Sequence, residues 1–376
     1  MKQNQLMIYV HIPFCVRKCR YCDFLSFPGS QETQQVYIQA LQREIKERAG
    51  EGAGCKVSSV FFGGGTPSVL PGESIIRIME TIRECYQLSP EAEITLEVNP
   101  GTLSPEKTRM WKEAGINRIS MGVQSMDDAL LAVLGRIHRA DTVEKSVSLI
   151  REAGFTRYSF DLMMGLPGQS LAQWMNTLER VMEFEPEHLS CYSLIVEEGT
   201  EFGDLYDQGQ LNLPPEETER AMYHETLRFL KEQGLFQYEI SNFAKPGAHS
   251  RHNVGYWERT PYLGFGLGAA SLTTGNVRFH DQTSLSAYLA DPSVREDEER
   301  LSKEDQMSEF MFLGLRKTEG IRIGDFSRQF DLRPEEVFGE AIQRHLKDGL
   351  LCQENDRLFL SEKGMDLANQ VFVDFV

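Results

Sequence analysis

Three cysteines, Cys15, Cys19 and Cys22, stand in the run HIPFCVRKCRYCDF with the spacing C-x3-C-x2-C. A 4Fe–4S cluster has four iron corners, and thiolates usually fill all of them. Three closely spaced thiolates leave one iron open to a ligand that is not protein. Zinc is the competing reading, since it accepts three cysteines and a fourth donor, and His11 is near. Disulfides fit poorly, because seven cysteines is an odd number and no signal peptide precedes the first apolar run. Cys55, Cys85, Cys191 and Cys352 lack ligand spacing and read as small apolar residues.

The elements that must position this loop alternate between two periods. Apolar, β-branched runs at 6–12, 56–62, 93–98, 118–123, 158–164 and 189–195 predict strands. Amphipathic stretches near 33–49, 72–87, 104–114, 126–135, 141–153 and 170–184 predict the helices between them. Such alternation implies right-handed βαβ units around a parallel sheet, with each strand buried on both faces. Curled, six units make a partial (β/α)6 barrel; left flat, they make a doubly wound sheet. Periodicity does not choose between these.

Polar residues follow each strand and point to one working face, since barrel enzymes build their sites at the C-terminal strand ends. After the cysteine loop comes GGGTP (63–67), where a tight turn approaches a ligand closely, or merely turns. Glu97 and Asn99, then Gln124 and Ser125, then Asp161 with GLPGQ (165–169), complete the ring with Glu197 and Glu198. GFGLGA (264–269) has no strand–helix context for a dinucleotide.

Past a helix near 216–233 the pattern changes. We divide the chain into a barrel at 1–235, a connecting segment at 236–300 and a C-terminal unit at 301–376. The connecting segment holds HNVGYW (252–257) and ends in an acidic linker, DPSVREDEER. The last unit reads as three helices and a two-stranded wing, a small winged-helix-like α+β pattern. It carries ten Lys and Arg against fifteen Asp and Glu, a net of −5, and the whole chain is at −17. That sign argues against a nucleic-acid partner and for a packing or protein-contact module. No apolar run approaches the ~20 residues that span a bilayer, so the cytoplasm is the expected compartment, with peripheral membrane association the most that remains.

Seven segments in order, YVHIPFCVRKCRYCDF, FFGGGTPS, LEVNPGTL, RISMGVQS, LGRIHR, FDLMMGLPGQ and HNVGYW, resemble the HemN/HemW branch of the radical S-adenosylmethionine (SAM) proteins. The resemblance covers nearly the whole chain and implies a partial (β/α)6 TIM-like barrel of α/β class with the winged-helix-like domain appended. It implies that Cys15, Cys19 and Cys22 bind a 4Fe–4S cluster whose open corner is closed by SAM. Tyr9, Tyr21, Gly64, Gly65 and Thr66 are implied SAM contacts, as are Glu97, Gln124, Arg136 and Asp161. A reductant or electron donor is implied as a partner. Which residues are catalytic is left open.

The branch holds two functional classes, an oxygen-independent coproporphyrinogen III oxidase and a chaperone that passes haem to an acceptor haem protein. The oxidase pattern adds a fourth cysteine, where this chain has Phe24. The oxidases also carry a long segment before the first strand, whereas Cys15 follows only 14 residues here. HNVGYW matches the chaperone signature H-N-x-x-Y-W. The chaperone reading is therefore the expectation, with haem as cargo. His252 is then the candidate axial ligand, with His249 a weaker one. Tyr256 and Trp257 are candidate stacking partners, and Arg251 or Arg259 candidates for the propionates. The competing reading gives His252 and Asn253 to loop backbone and the aromatics to core. Gly268-Ala269-Ala270-Ser271 departs from the family's expected histidine and puts any contact from that loop in doubt.

Overall fold

The structure, a computed structural model, describes residues 4–376. Strand β1 (Gln5–Ile12) is buried along most of its length because LMIYVHI offers apolar side chains to both faces. It pairs in parallel with β2 (Lys56–Gly64), and the sheet continues through β3 (Leu88–Val98), β4 (Arg118–Gln124), β5 (Tyr158–Met164) and β6 (His188–Ser193). Helices such as Gln31–Glu47, Gly72–Cys85 and Leu171–Met182 return the chain between strands. Their apolar stripes pack on the sheet, with Trp111, Trp174 and Phe160 fully buried beneath them. These six parallel strands and their crossovers are the expected partial barrel.

Both edges of that unit are extended. Beyond β6 lie β7 (Phe236–Gln237) and β8 (Asn242–Ala244), both antiparallel. On the other edge β9 (Tyr262–Phe265) runs parallel to β1, followed by antiparallel β10 (Ala270–Leu272), β11 (Val277–Asp281) and β12 (Arg295–Arg300). The result is a 12-stranded open sheet in the order β12-β11-β10-β9-β1-β2-β3-β4-β5-β6-β8-β7.

The segment 236–300 is therefore sheet rather than connector, and REDEER, read as linker, is its edge strand. The charges that hid the strand protect it: Arg278 faces Glu299, Asp281 faces Arg295, and a charged edge resists pairing with another chain. Arg295 also covers the ring of buried Phe279, 4.1 Å from its centroid.

A buried ionic cluster fastens this added sheet to the barrel. Arg48, just past the first helix, meets Glu44 at 2.6 Å and Asp281 of β11 at 3.3 Å, and donates to the Gly264 carbonyl and the Ser271 hydroxyl. Glu44 also accepts from the Tyr288 hydroxyl and the Gly266 amide. Burial and then the Glu44 charge raise the Asp281 carboxyl well above the usual carboxylate range.

The C-terminal unit has its own core, built from Met311, Phe326, Phe330, Ile342 and Phe375 around a small sheet. Its strands are β13 (Ile321–Arg322), β14 (Leu351–Glu354) and β15 (Arg357–Leu360). The turn falls at Asn355–Asp356, which matches the expected wing. Arg259–Glu309 at 2.7 Å and Arg316 over Trp257 hold it to the barrel.

Candidate functional site

The thiol loop leaves β1 at Ile12 and is anchored from beneath by Phe14. That ring is fully buried and meets Phe27 and Tyr37 edge-on at 5.7 and 5.3 Å. Cys15 N–H donates to the Phe27 carbonyl, and Arg20 ties the outer side to Glu201 and the Val133 carbonyl. Gly29 lies so close to Phe14 that a Cβ there would sit 2.5 Å from the ring. The fold thus fixes the backbone on both sides of the thiols, and all three cysteines are free and partly accessible. Among the described residues, no three Cys, His, Asp or Glu side chains are grouped closely enough to hold a single metal ion. His11, the candidate fourth zinc donor, is engaged elsewhere. Its Nε2 lies 2.9 Å from the Leu25 carbonyl, which places the ring proton there, and Nδ1 accepts from Tyr9 at 3.1 Å.

GGGTP closes over the same loop. Gly65 and Thr66 N–H donate to the Ile12 and Phe14 carbonyls. Gly64 has φ +109, and a Cβ on it would press into the His11 ring at 2.6 Å. One on Gly65 would lie 3.0 Å from Cys15 Sγ. Only glycine lets this backbone pass so near the thiols. Thr66 Oγ1 sits 3.5 Å from Cys15 Sγ and accepts from Asn99 Nδ2 at 2.7 Å.

The three cysteines, the nine implied SAM contacts and His252 all line one cavity of about 590 Å³ at the C-terminal ends of the strands. Cys15, Cys19, Tyr21 and Cys22 form one wall, Gly64, Gly65 and Thr66 the next, and Tyr9, Glu97, Gln124, Arg136 and Asp161 the interior, with His252 deep within. Its polar groups are short of partners. Gln124 ends β4 with φ 66, and its Oε1 is buried without a hydrogen bond. Arg136 donates to Asn99 Oδ1 and the Gly122 carbonyl, both at 2.6 Å, and lies 3.6 Å from Cys19 Sγ, but makes no ion pair among the described residues. Burial, and then the neighbouring Asp161, push the Glu97 carboxyl up to about 8. Asp161 is itself raised by burial and accepts from Ser120 at 3.2 Å. Two carboxyls without a bonded cation and an amide oxygen without a partner, among the described residues, suit a ligand bearing an ammonium group and hydroxyls.

His252 sits deep in the fold with both ring nitrogens engaged. It lies on the helix Arg251–Trp257, 1% exposed, with Nδ1 at 2.9 Å from Ser59 Oγ and Nε2 at 3.0 Å from Tyr256 OH. The ring stacks on Phe61, centroids 5.1 Å apart, and burial depresses its pKa to about 3. Both nitrogens are taken, so an axial bond to iron would first break a buried hydrogen bond. Trp257 faces away under Arg316, and Arg259 is buried against Glu309. His249 stacks on Tyr238 at 4.2 Å. Ser271, in the departing loop, belongs to the Arg48 cluster. The HNVGYW helix packs between β2 and the C-terminal unit.

Three cavity residues were not anticipated in these roles. Asn99, a strand-end residue in sequence, bridges Thr66 to Arg136. Phe61 backs His252. Arg118, at the start of β4, donates to Ser159 Oγ at 3.0 Å inside the barrel. Period-two alternation in β2 was the available signal for Phe61; nothing in sequence marks Arg118 as inward.

Residues 9–181 match the Radical SAM superfamily, and residues 301–367 the HemN C-terminal domain. A "Heme chaperone HemW" of Lactococcus lactis is 36% identical, covering 100% of this chain and 98% of its own. That of Bacillus subtilis is 37% identical over 98% of each. Among solved structures, coproporphyrinogen III oxidase (HemN) from Escherichia coli superposes with a TM-score of 0.86 at 27% identity, over 99% of this chain and 90% of that one.

Proposed function

Because this chain belongs to the HemW heme chaperone family within the radical SAM superfamily, we propose that it binds haem and delivers it to an acceptor haem protein. Cys15, Cys19 and Cys22 hold a 4Fe–4S cluster in this reading, and SAM occupies the cavity beside it. The donor set fits. Three free thiols share one fixed loop, and the Gly64–Gly65 backbone leaves the approach open. Glu97, Asp161 and the orphaned Gln124 Oε1 match an ammonium group and ribose hydroxyls, while the unpaired Arg136 guanidinium matches a carboxylate. When bound, a cluster of this kind supplies an electron that can cleave SAM. The protein holds the reactants and keeps the thiolates in place.

The observation that carries the chaperone reading over the oxidase is full-length similarity to the chaperones at 36–37% identity. At the fourth-cysteine position the chain places an exposed phenyl ring, Phe24. Free thiols of this kind persist in a reducing compartment, which favours the cytoplasm. No helix is long and apolar enough to cross a membrane among the described residues. The close superposition on the oxidase sustains a second reading, oxidative decarboxylation of coproporphyrinogen III propionates. One experiment separates the two. Anaerobically reconstituted protein, given SAM and reductant, is assayed for haem transfer to an apo-haem protein and for porphyrinogen conversion. Transfer without vinyl product is expected; vinyl product would overturn the chaperone reading.

A further inference from the structure

Large apolar side chains that face solvent are not scattered evenly over this molecule. Val16 and Phe24 on the thiol loop are 60% and 61% exposed, Ile137 is 57% exposed, and Ile195 after β6 is 68% exposed. They come from three separate loops, yet all four line the mouth of the one cavity. A folded chain tolerates single exposed apolar residues without explanation, but a ring of them converging on one opening marks a contact surface. Arg17 and Lys18 stand on the same mouth. Neither forms an ion pair among the described residues: Arg17 donates to the Gly135 carbonyl, and Lys18 to the Phe24 carbonyl at 3.0 Å. On a chain of net charge −17, Arg17 and Lys18 put two cations without ion pairs beside that apolar rim. Asp23 and Glu197 line the same cavity.

We propose that haem docks across this mouth, its macrocycle on Val16, Phe24, Ile137 and Ile195 and its propionates toward Arg17 and Lys18. The inference rests on the haem-carrying function proposed above and gives it a location. A flat apolar disc with two carboxylates on one edge is the shape and charge the rim complements. His138, beside Ile137, also lines the cavity with its Nε2 3.3 Å from the Val123 carbonyl, so the metal-free porphyrin separates recognition of the macrocycle from ligation of the iron. The cargo lies over the thiol loop, while SAM occupies the deeper, polar interior.

The test uses the full-length protein titrated separately with haem and with metal-free protoporphyrin IX, followed by absorbance. The Ile137→Asp/Ile195→Asp double variant is expected to weaken both ligands about tenfold or more. Phe24→Ser, at a single exposed site, is expected to weaken both severalfold. Arg17→Glu/Lys18→Glu is expected to weaken both acids but not their dimethyl esters. Circular dichroism and iron content after reconstitution report whether fold and cluster are kept. Wild-type affinity in the Ile137/Ile195 variant overturns the proposal. So does normal haem binding with lost transfer, which would make the rim a docking surface for the acceptor. Failure of the wild-type protein to bind haem at all sinks the chaperone reading itself.

Discussion

Two pairs of buried carboxyls in this molecule meet opposite fates. Glu44 and Asp281 share the Arg48 guanidinium, which also donates to Ser271, and Glu44 accepts from the Tyr288 hydroxyl and the Gly266 amide. Glu97 and Asp161, across the barrel, have no cation bonded to either among the described residues. Burial raises the pKa in both pairs, so desolvation does not distinguish them. Partners do. The first pair is completed by the chain and fastens the β9–β12 sheet to the barrel. The second is left incomplete beside an orphaned amide oxygen, at the strand ends where ligands bind. A buried charge that the fold satisfies reports on structure; one that it leaves open reports on a ligand.

The sharpest way to break this contrast is Arg48→Met. It strands Glu44 and Asp281, and a cost of about 3–5 kcal/mol is expected in urea unfolding; a loss below about 1 kcal/mol would mean the cluster fastens nothing. His252→Ala comes next. Removing the ring leaves Ser59 and Tyr256 unpaired beside a cavity, for about 2–3 kcal/mol. Haem affinity should be unchanged in the folded fraction, and a large drop would restore His252 as a ligand. The same residue predicts acid sensitivity. Its folded pKa, about 3, lies below the unfolded 6.5. The stability it contributes is complete above pH 6.5 and lost as pH falls towards 3.

Glu97→Gln runs the other way. Its folded pKa of about 8 exceeds the unfolded 4.5, so the folded state keeps a proton that the unfolded chain releases. Wild-type stability therefore falls as pH rises through that window. The amide removes the penalty and should gain about 1–2 kcal/mol at pH 8.5, discounted for solvent in the open cavity, but almost nothing at pH 4.5. Paired melts of cofactor-free protein at the two pH values check this, and equal gains at both would contradict the assignment. SAM affinity should fall in the same variant. The smallest effect belongs to Lys145→Ala. Its 2.8 Å pair with Asp141 lies on an exposed helix face, so about 0.3–0.5 kcal/mol is expected, vanishing in high salt. A salt-independent loss would show that exposure is a poor guide to what an ion pair contributes here.

The parallel strands could be read from sequence because burial on both faces writes itself as continuous apolar runs. The thiol spacing and GGGTP were equally plain, since both are local. What escaped was non-local. REDEER looks like a linker until Arg278 and Asp281 are set opposite it. His252 has the right chemistry for iron, and only the arrival of Ser59 from β2 and Tyr256 one helical turn away shows that its nitrogens are occupied. Arg118 begins an ordinary strand, and its inward aim emerges only when the sheet curves. Residue type announces chemistry, but partners decide whether it is free to be used.

The pairing of β9 with β1 has a consequence for how this protein is made. The first strand leaves the ribosome with its β2 partner some 50 residues behind it, but the strand covering its other edge begins at Tyr262. At about 5–20 residues per second, that edge waits roughly 12–50 s for a partner. Throughout that interval an apolar strand edge and the three thiols just beyond it stand open together. Tyr37, which donates to the His11 carbonyl of β1 and accepts from the Leu267 amide beyond β9, cannot complete its bonds until the wait is over. Translation order thus gives the nascent thiol loop a long exposed interval before the barrel's edge is sealed.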